Sequence, residues 1–216
     1  MVHPIDSQLV FNSVLGGLVP LGVTGGLMEH SFSGKIPFNS NDTENLLNPR
    51  FVFVGAHWVD KDGNFVNKMP DFYNRGVWEL GWGREKEKLN GYIDEIKRGD
   101  VLVVKKLNGK AQDTMKIIAI GVVVGFPQVH NEARTVLYVA WTMPNVDLDV
   151  PLQLVGTINK PKYAKDFRAE VSRTFNEIGN DEAVKQKSLL VSLIDRCVAR
   201  FITQNLQPIS HTLYQY

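Results

Sequence analysis

Trp78 and Trp82 lie in one glycine-flanked stretch, Gly76-Val-Trp-Glu-Leu-Gly-Trp-Gly83. Glycine lets a ligand or another backbone come close, and an indole face is a good surface for a nucleobase. Base–aromatic stacking contributes about 1–3 kcal/mol per base. Trp58 and Trp141 are the other two tryptophans. Together the four indoles supply the surface that a base-reading pocket needs. Tyr73 and Asn74 precede the glycine-flanked stretch and can contact a base edge, and His57 beside Trp58 can contact a base or a phosphate. Each of these positions also has a plainer reading. Tryptophan is heavily buried on average, so all four rings suit a core. Tyr73 and Asn74 suit a helix end and the surface, and His57 suits a strand end.

Lys105, Lys106, Lys110 and Lys116 surround one expected hairpin, and Arg84 follows the tryptophan pair. They can track a phosphate backbone, while lysines there would equally blunt a sheet edge. The chain carries 24 Lys+Arg against 23 Asp+Glu, a net charge of +1. A grip spread over a duplex would call for more positive charge. The expectation is therefore local binding of single-stranded or flippable bases, with about two to four phosphate contacts and a shallow salt slope of about 0.7 per contact.

Catalytic patterns are weak. His3, His30, His57, His130 and His211 share no helical or strand spacing that would suit a metal. Asp100 and Lys105 frame a strand in a way that loosely suggests a nuclease, but Gly99-Asp100 reads better as a turn into that strand. Cys197 falls in an amphipathic helix and is expected to be a buried, inert thiol. No Gly-x-Ser-x-Gly elbow, phosphate-binding Gly-x-x-x-x-Gly-Lys-Ser/Thr loop or Gly-x-Gly-x-x-Gly fingerprint occurs. A non-enzymatic chain without cofactor or metal is expected.

The elements that must position these residues follow from the pattern. With 216 residues, 44% of them hydrophobic, the chain suits one decorated domain. A single cysteine excludes a disulfide framework. The apolar stretch 9–27 is interrupted by glycines and Pro20, unlike a membrane helix, so a cytoplasmic protein with no membrane contact is expected. Residues 1–49 read as a Gly-rich arm packed on the main domain. Strands are expected at 51–55, 101–104, 115–124 and 135–142, the last bounded by Pro144. Asn108-Gly109 is a hairpin signal. Helical periodicity covers 84–97, 166–178 and 181–201. In the last of these, Asp181 is a candidate cap, and Val184, Leu189, Leu190, Leu193, Ile194 and Val198 form the candidate buried side. Strands with short turns between helices imply an α+β domain built on a small, curved antiparallel β-barrel over 50–165, with a helical extension over 166–216.

The segment Asn74-Arg-Gly-Val-Trp78, a charged helix, Ile96-Lys-Arg-Gly-Asp100-Val-Leu-Val-Val104 and Lys116-Ile-Ile-Ala-Ile-Gly121-Val-Val resembles the YTH and EVE branch of the PUA-like superfamily. The strand Leu137-Tyr-Val-Ala-Trp141 and the stretch from Pro151 to Pro161 are similar to elements of the same branch. The resemblance covers residues 50–170 and rests on motif order and spacing. It implies a compact barrel with flanking helices that binds a modified base, flipped or single-stranded, in an aromatic pocket. It also implies a setting such as bacterial modification-dependent restriction or antiviral defence, acting through an effector protein partner. In this chain the residue after the turn tryptophan is Glu79, where YTH proteins have a small polar residue. A carboxylate there can accept hydrogen bonds from a base edge, as Glu and Asp do from the cytosine amino group; it can equally face solvent. Trp78 is expected to line a concave site with its ring partly accessible. Three readings follow: a reader of nucleic acid carrying a modified or unpaired base, a pocket for a free signalling nucleotide, and a protein-interaction module without a ligand.

Overall fold

A computed structural model describes residues 38–59, 61–81, 92–107, 114–127, 136–151, 156–178 and 181–205. Helix α1 (Ser40–Leu47) begins with a reciprocal cap. The Asn39 side chain accepts from the Asp42 amide at 2.9 Å, and the Asp42 carboxylate accepts from the Asn39 amide at 3.0 Å. Strand β1 (Arg50–Gly55) follows, then a ribbon of β2 (His57–Val59) and β3 (Phe65–Asn67). Helix α2 (Met69–Arg75) leads into β4 (Val77–Glu79). The remaining strands are β5 (Val101–Leu107), β6 (Met115–Gly125), β7 (Val136–Met143), β8 (Leu148–Val150) and β9 (Lys162–Tyr163). Helices α3 (Ala164–Ile178) and α4 (Glu182–Asn205) end the described chain, and Asp181 caps α4 through the Ala183 amide.

The main sheet runs β4-β7-β6-β5-β1-β9, with β8 also paired to β6. β1 is parallel to β5, and the other pairs are antiparallel. The fold is α+β with a mixed sheet and flanking helices. The expected closed antiparallel barrel is corrected: among the described residues the path ends at β4 and β9 without closing. The physical reason lies in β1. Its parallel partner requires a long crossover, here the chain through β2, β3, α2 and β4. Both faces of the resulting sheet are covered, so the strands are buried without closure.

Burial explains the unbroken apolar run of β1. Phe51 and Phe53 join Val101, Val103, Met115 and Ile117 on one face, under Phe167, Val171, Leu190, Ile194 and Phe201 of α3 and α4. Val52 and Val54 join Leu102, Val104 and Val123 on the other, under Met69, Phe72, Trp78, Ile93 and Ile96. A strand buried on both faces loses the polar alternation of a half-exposed one. On α4 the buried stripe is Val184, Leu190, Val191, Ile194, Cys197, Val198 and Phe201, while Leu189 falls off it and is exposed. Of the helix expected over 84–97, residues 92–97 are described; 92–94 are helical and the helix ends before Glu95, three residues earlier than expected. The Asn108-Gly109 turn lies outside the described residues. Among the described residues no helix is long and apolar enough to cross a membrane.

Candidate functional site

Helix α2 is short, with Pro70 in its first turn, where a missing N–H costs nothing. Gly76 ends it at φ 62°, in the left-handed region. Two tryptophans grip this helix. The Trp141 indole N–H donates to the Phe72 carbonyl at 3.1 Å. Trp58, half-buried on β2, meets the Phe72 ring edge-on with centroids 5.9 Å apart. Lys68 lies over the Trp58 ring, its Nζ 4.8 Å from the centroid. A Cβ on Gly81 would fall 2.4 Å from Trp58 Nε1, so only glycine allows this approach. The Trp58 N–H is itself buried and has no hydrogen-bond partner among the described residues.

Trp78 is placed elsewhere. It is 0% exposed, and its N–H donates to the Gly55 carbonyl at 2.9 Å. The expectation of a partly accessible Trp78 ring is corrected: the side chain fills the core between β4 and β1. Tyr73 and Asn74 are exposed near the end of α2. Glu79 is half-buried and accepts from Arg75 at 2.6 Å, while Arg75 also pairs with Asp71 at 2.8 Å. The bond from Glu79, chiefly, raises the pKa of the Arg75 guanidinium. Glu79 thus faces a cation of its own chain. Trp82, Arg84 and Lys110 lie outside the described residues.

The expected phosphate contacts separate into different environments. Lys116 pairs with Asp147 at 2.6 Å, which raises its pKa. Lys106 is exposed. Lys105 is corrected: it is 3% exposed, with its Nζ donating to the Gly156 carbonyl at 2.8 Å. Burial pulls its pKa down from 10.5 to about 8. The unfolded chain therefore holds this proton more tightly, and stability gains from Lys105 as pH rises from about 8 towards 10.5. Lys105→Met is expected to abolish that gain, on the order of 3 kcal/mol across the window. Urea unfolding of both proteins at the two ends of the window measures it. Parallel pH dependence in variant and parent would refute it.

His57 is half-buried, and burial followed by the Lys106 charge lowers its pKa. Cys197 is buried with its Sγ 2.8 Å from the Thr142 hydroxyl, and burial pushes the thiol up to about 12. Among the described residues no group of three or more His, Cys, Asp or Glu is placed to hold a metal ion.

The structure brings together Trp58, Phe72 and Trp141 on α2, with Lys68 and Gly81 closing on Trp58. Phe72, Lys68 and Gly81 were not singled out in the sequence. A signal was present for Gly81, since a glycine before Trp82 marks a close approach, but the group that approaches is Trp58. In comparisons with known proteins, no family model and no curated protein matches this sequence.

Proposed function

We propose that the protein is a non-enzymatic reader that binds a modified or unpaired nucleobase at Trp58, beside α2. The observation that carries this reading is the buried Trp58 N–H, which has no partner among the described residues. Leaving such a donor unmet costs about 1–3 kcal/mol. A base offers acceptors on its edge, and one of them would meet this donor in the plane of the indole once the Gly81 backbone packed against it gives way. Lys68 over the ring adds a cation beside it. The resemblance to the YTH and EVE branch supports the same ligand class, a PUA-like fold and a cytoplasmic defence setting with a separate effector protein. In this reading the pocket tryptophan is Trp58, and Trp78 supports it from the core.

Trp58→Phe keeps an aromatic face and removes the donor. It is expected to weaken binding of oligonucleotides carrying a modified base about tenfold, and Trp58→Ala about a hundredfold. Anisotropy titrations at a temperature where melting curves show all three proteins folded provide the measurement. Unchanged binding by well-folded Trp58→Ala would overturn the reading. Tight binding of a free nucleotide with no binding of any oligonucleotide would favour the signalling-nucleotide reading.

A further inference from the structure

Two hydrogen-bond donors converge on the Trp58 ring. Its buried N–H has no partner among the described residues, and the Lys68 ammonium lies over the ring, 4.8 Å from the centroid. An indole offers one donor and no acceptor, and an ammonium offers three donors and no acceptor. The acceptor side chains next to these donors in the chain are engaged elsewhere. Asn67 Oδ1 accepts from the Met69 amide at 3.0 Å. The carboxylates of Asp71 and Glu79 both bond Arg75, at 2.8 Å and 2.6 Å. Among the described residues no ion pair joins an acid to Lys68.

Local structure does not account for a lysine at this position. Lys68 immediately precedes α2, where Asn, Asp, Ser or Thr would cap the helix, and its side chain makes no capping bond. A cation at a helix start also opposes the helix dipole. The backbone of Lys68 is nonetheless held at both of its polar groups. Its amide donates to the Ala56 carbonyl at 2.7 Å, and its carbonyl accepts from the Phe72 amide at 2.9 Å. The junction of β3 and α2 thus sets this half-buried side chain beside Trp58.

We propose that Lys68 determines which base the Trp58 site accepts, and that the site selects a base edge carrying two adjacent acceptors. Guanine presents such an edge, O6 beside N7, and lysine is a common partner of it. Adenine and cytosine place an amino donor on the same edge, and thymine has one acceptor beside its methyl group. A donor facing the donors of the site leaves buried groups unpaired, which is how polar sites reject near-identical ligands most strongly. Once the Gly81 backbone gives way, the indole N–H takes one acceptor in its plane, and the ammonium moves from the ring face to the other. Modifications that leave O6 and N7 free are compatible with the site. The inference rests on the reading of Trp58 as a base site and names the base class.

The test uses the full chain and labelled twelve-residue oligothymidylates with one central guanine, adenine or 7-deazaguanine. The last keeps O6 and carries carbon in place of N7. Melting curves confirm that each variant is folded. The parent is expected to bind the guanine strand about tenfold more tightly than the other two in anisotropy titrations. Lys68→Met keeps the apolar stem and is expected to bring the three affinities within about twofold of each other. Lys68→Arg is expected to retain the preference, because arginine makes the same contact with O6 and N7. A parent without preference, or a Lys68→Met variant with the parent's preference, overturns the selectivity. A uniform loss for all three strands in Lys68→Met does so too, since it marks a phosphate contact. In each of these cases, weakened binding by Trp58→Phe leaves the Trp58 reading standing. If Trp58→Phe binds all three strands like the parent, or the parent binds none, the Trp58 reading and the selectivity fail together.

Discussion

Trp78→Ala is expected to destabilise the fold by about 3–5 kcal/mol, the usual loss on truncating a buried tryptophan. The side chain is 0% exposed, sits in β4 across from Leu137 of β7, and packs among Met69, Phe72 and Val104. Truncation leaves a cavity under α2. It also removes the donor that meets the Gly55 carbonyl. Trp78→Phe separates the two effects. It keeps most of the volume and is expected to lose about 1–3 kcal/mol, chiefly from the unpaired carbonyl. Both losses are read from urea unfolding midpoints, with binding of a modified-base oligonucleotide measured on whatever remains folded at low temperature. Loss of binding should track loss of folded protein. A Trp78→Ala variant with the parent's midpoint and no binding would return Trp78 to the pocket surface.

The misplacement of Trp78 has a definite cause. Its flanking glycines suggested an open turn, and each has another task. Gly76 takes the left-handed conformation that ends α2, and Gly81 makes room for Trp58. Both tasks depend on elements that are not visible from the glycine-flanked stretch alone. Trp58 lies 23 residues before Gly81, and nothing near either residue announces the contact. The orphan N–H of Trp58 is likewise a property of packing, which composition and spacing do not reveal.

Strand positions were more legible, because β-branched and aromatic runs bounded by turns state themselves locally. β1, β5, β6 and β7 fall where the sequence places them, to within a few residues. Pairing was less legible. That β1 lies parallel to β5 is fixed by the burial of both faces of β1, which requires a neighbour from across the crossover. Lys105 shows the same limit. Its strand begins with four residues buried on both faces, so there is no alternation from which to judge whether the fifth points out. The chain then shifts register between Val104 and Lys105, and the amine stays inside. Helix α1 was missed although Asn39 and Asp42 stand at capping-box spacing, a signal available from the sequence.

Asp100 also has a larger role than the turn expected of it, and Arg50→Ala tests that role. The carboxylate is 0% exposed, accepts from Arg50 Nε at 3.0 Å and Nη2 at 2.5 Å, and accepts from the Lys97 amide at 2.8 Å. The bond ties the first residue of β1 to the turn that starts β5, the parallel pair on which the mixed sheet depends. The two partners respond differently to burial. It opposes the Arg50 charge, yet Asp100 leaves that pKa raised. It also raises the Asp100 carboxyl, and Arg50 and Lys97 pull it back only in part. Three N–H donors on one carboxylate favour an ionised pair near neutral pH. Removing Arg50 leaves a buried charge without its cation, and about 3–5 kcal/mol is expected to be lost. The sign with pH follows from the raised carboxyl. A folded-state pKa above the ordinary value makes stability fall as pH rises from that value through the folded one. Without Arg50 the folded value rises further, so the loss in Arg50→Ala should be small in acid, where Asp100 is protonated, and largest near neutrality. Urea unfolding of parent and variant at about pH 4 and about pH 7.5 measures it. Adding Asp100→Asn to Arg50→Ala should flatten the pH dependence, because no buried carboxyl is left to titrate. An equal loss at both pH values, or an unchanged pH dependence in the double variant, would assign the Arg50 contribution to packing.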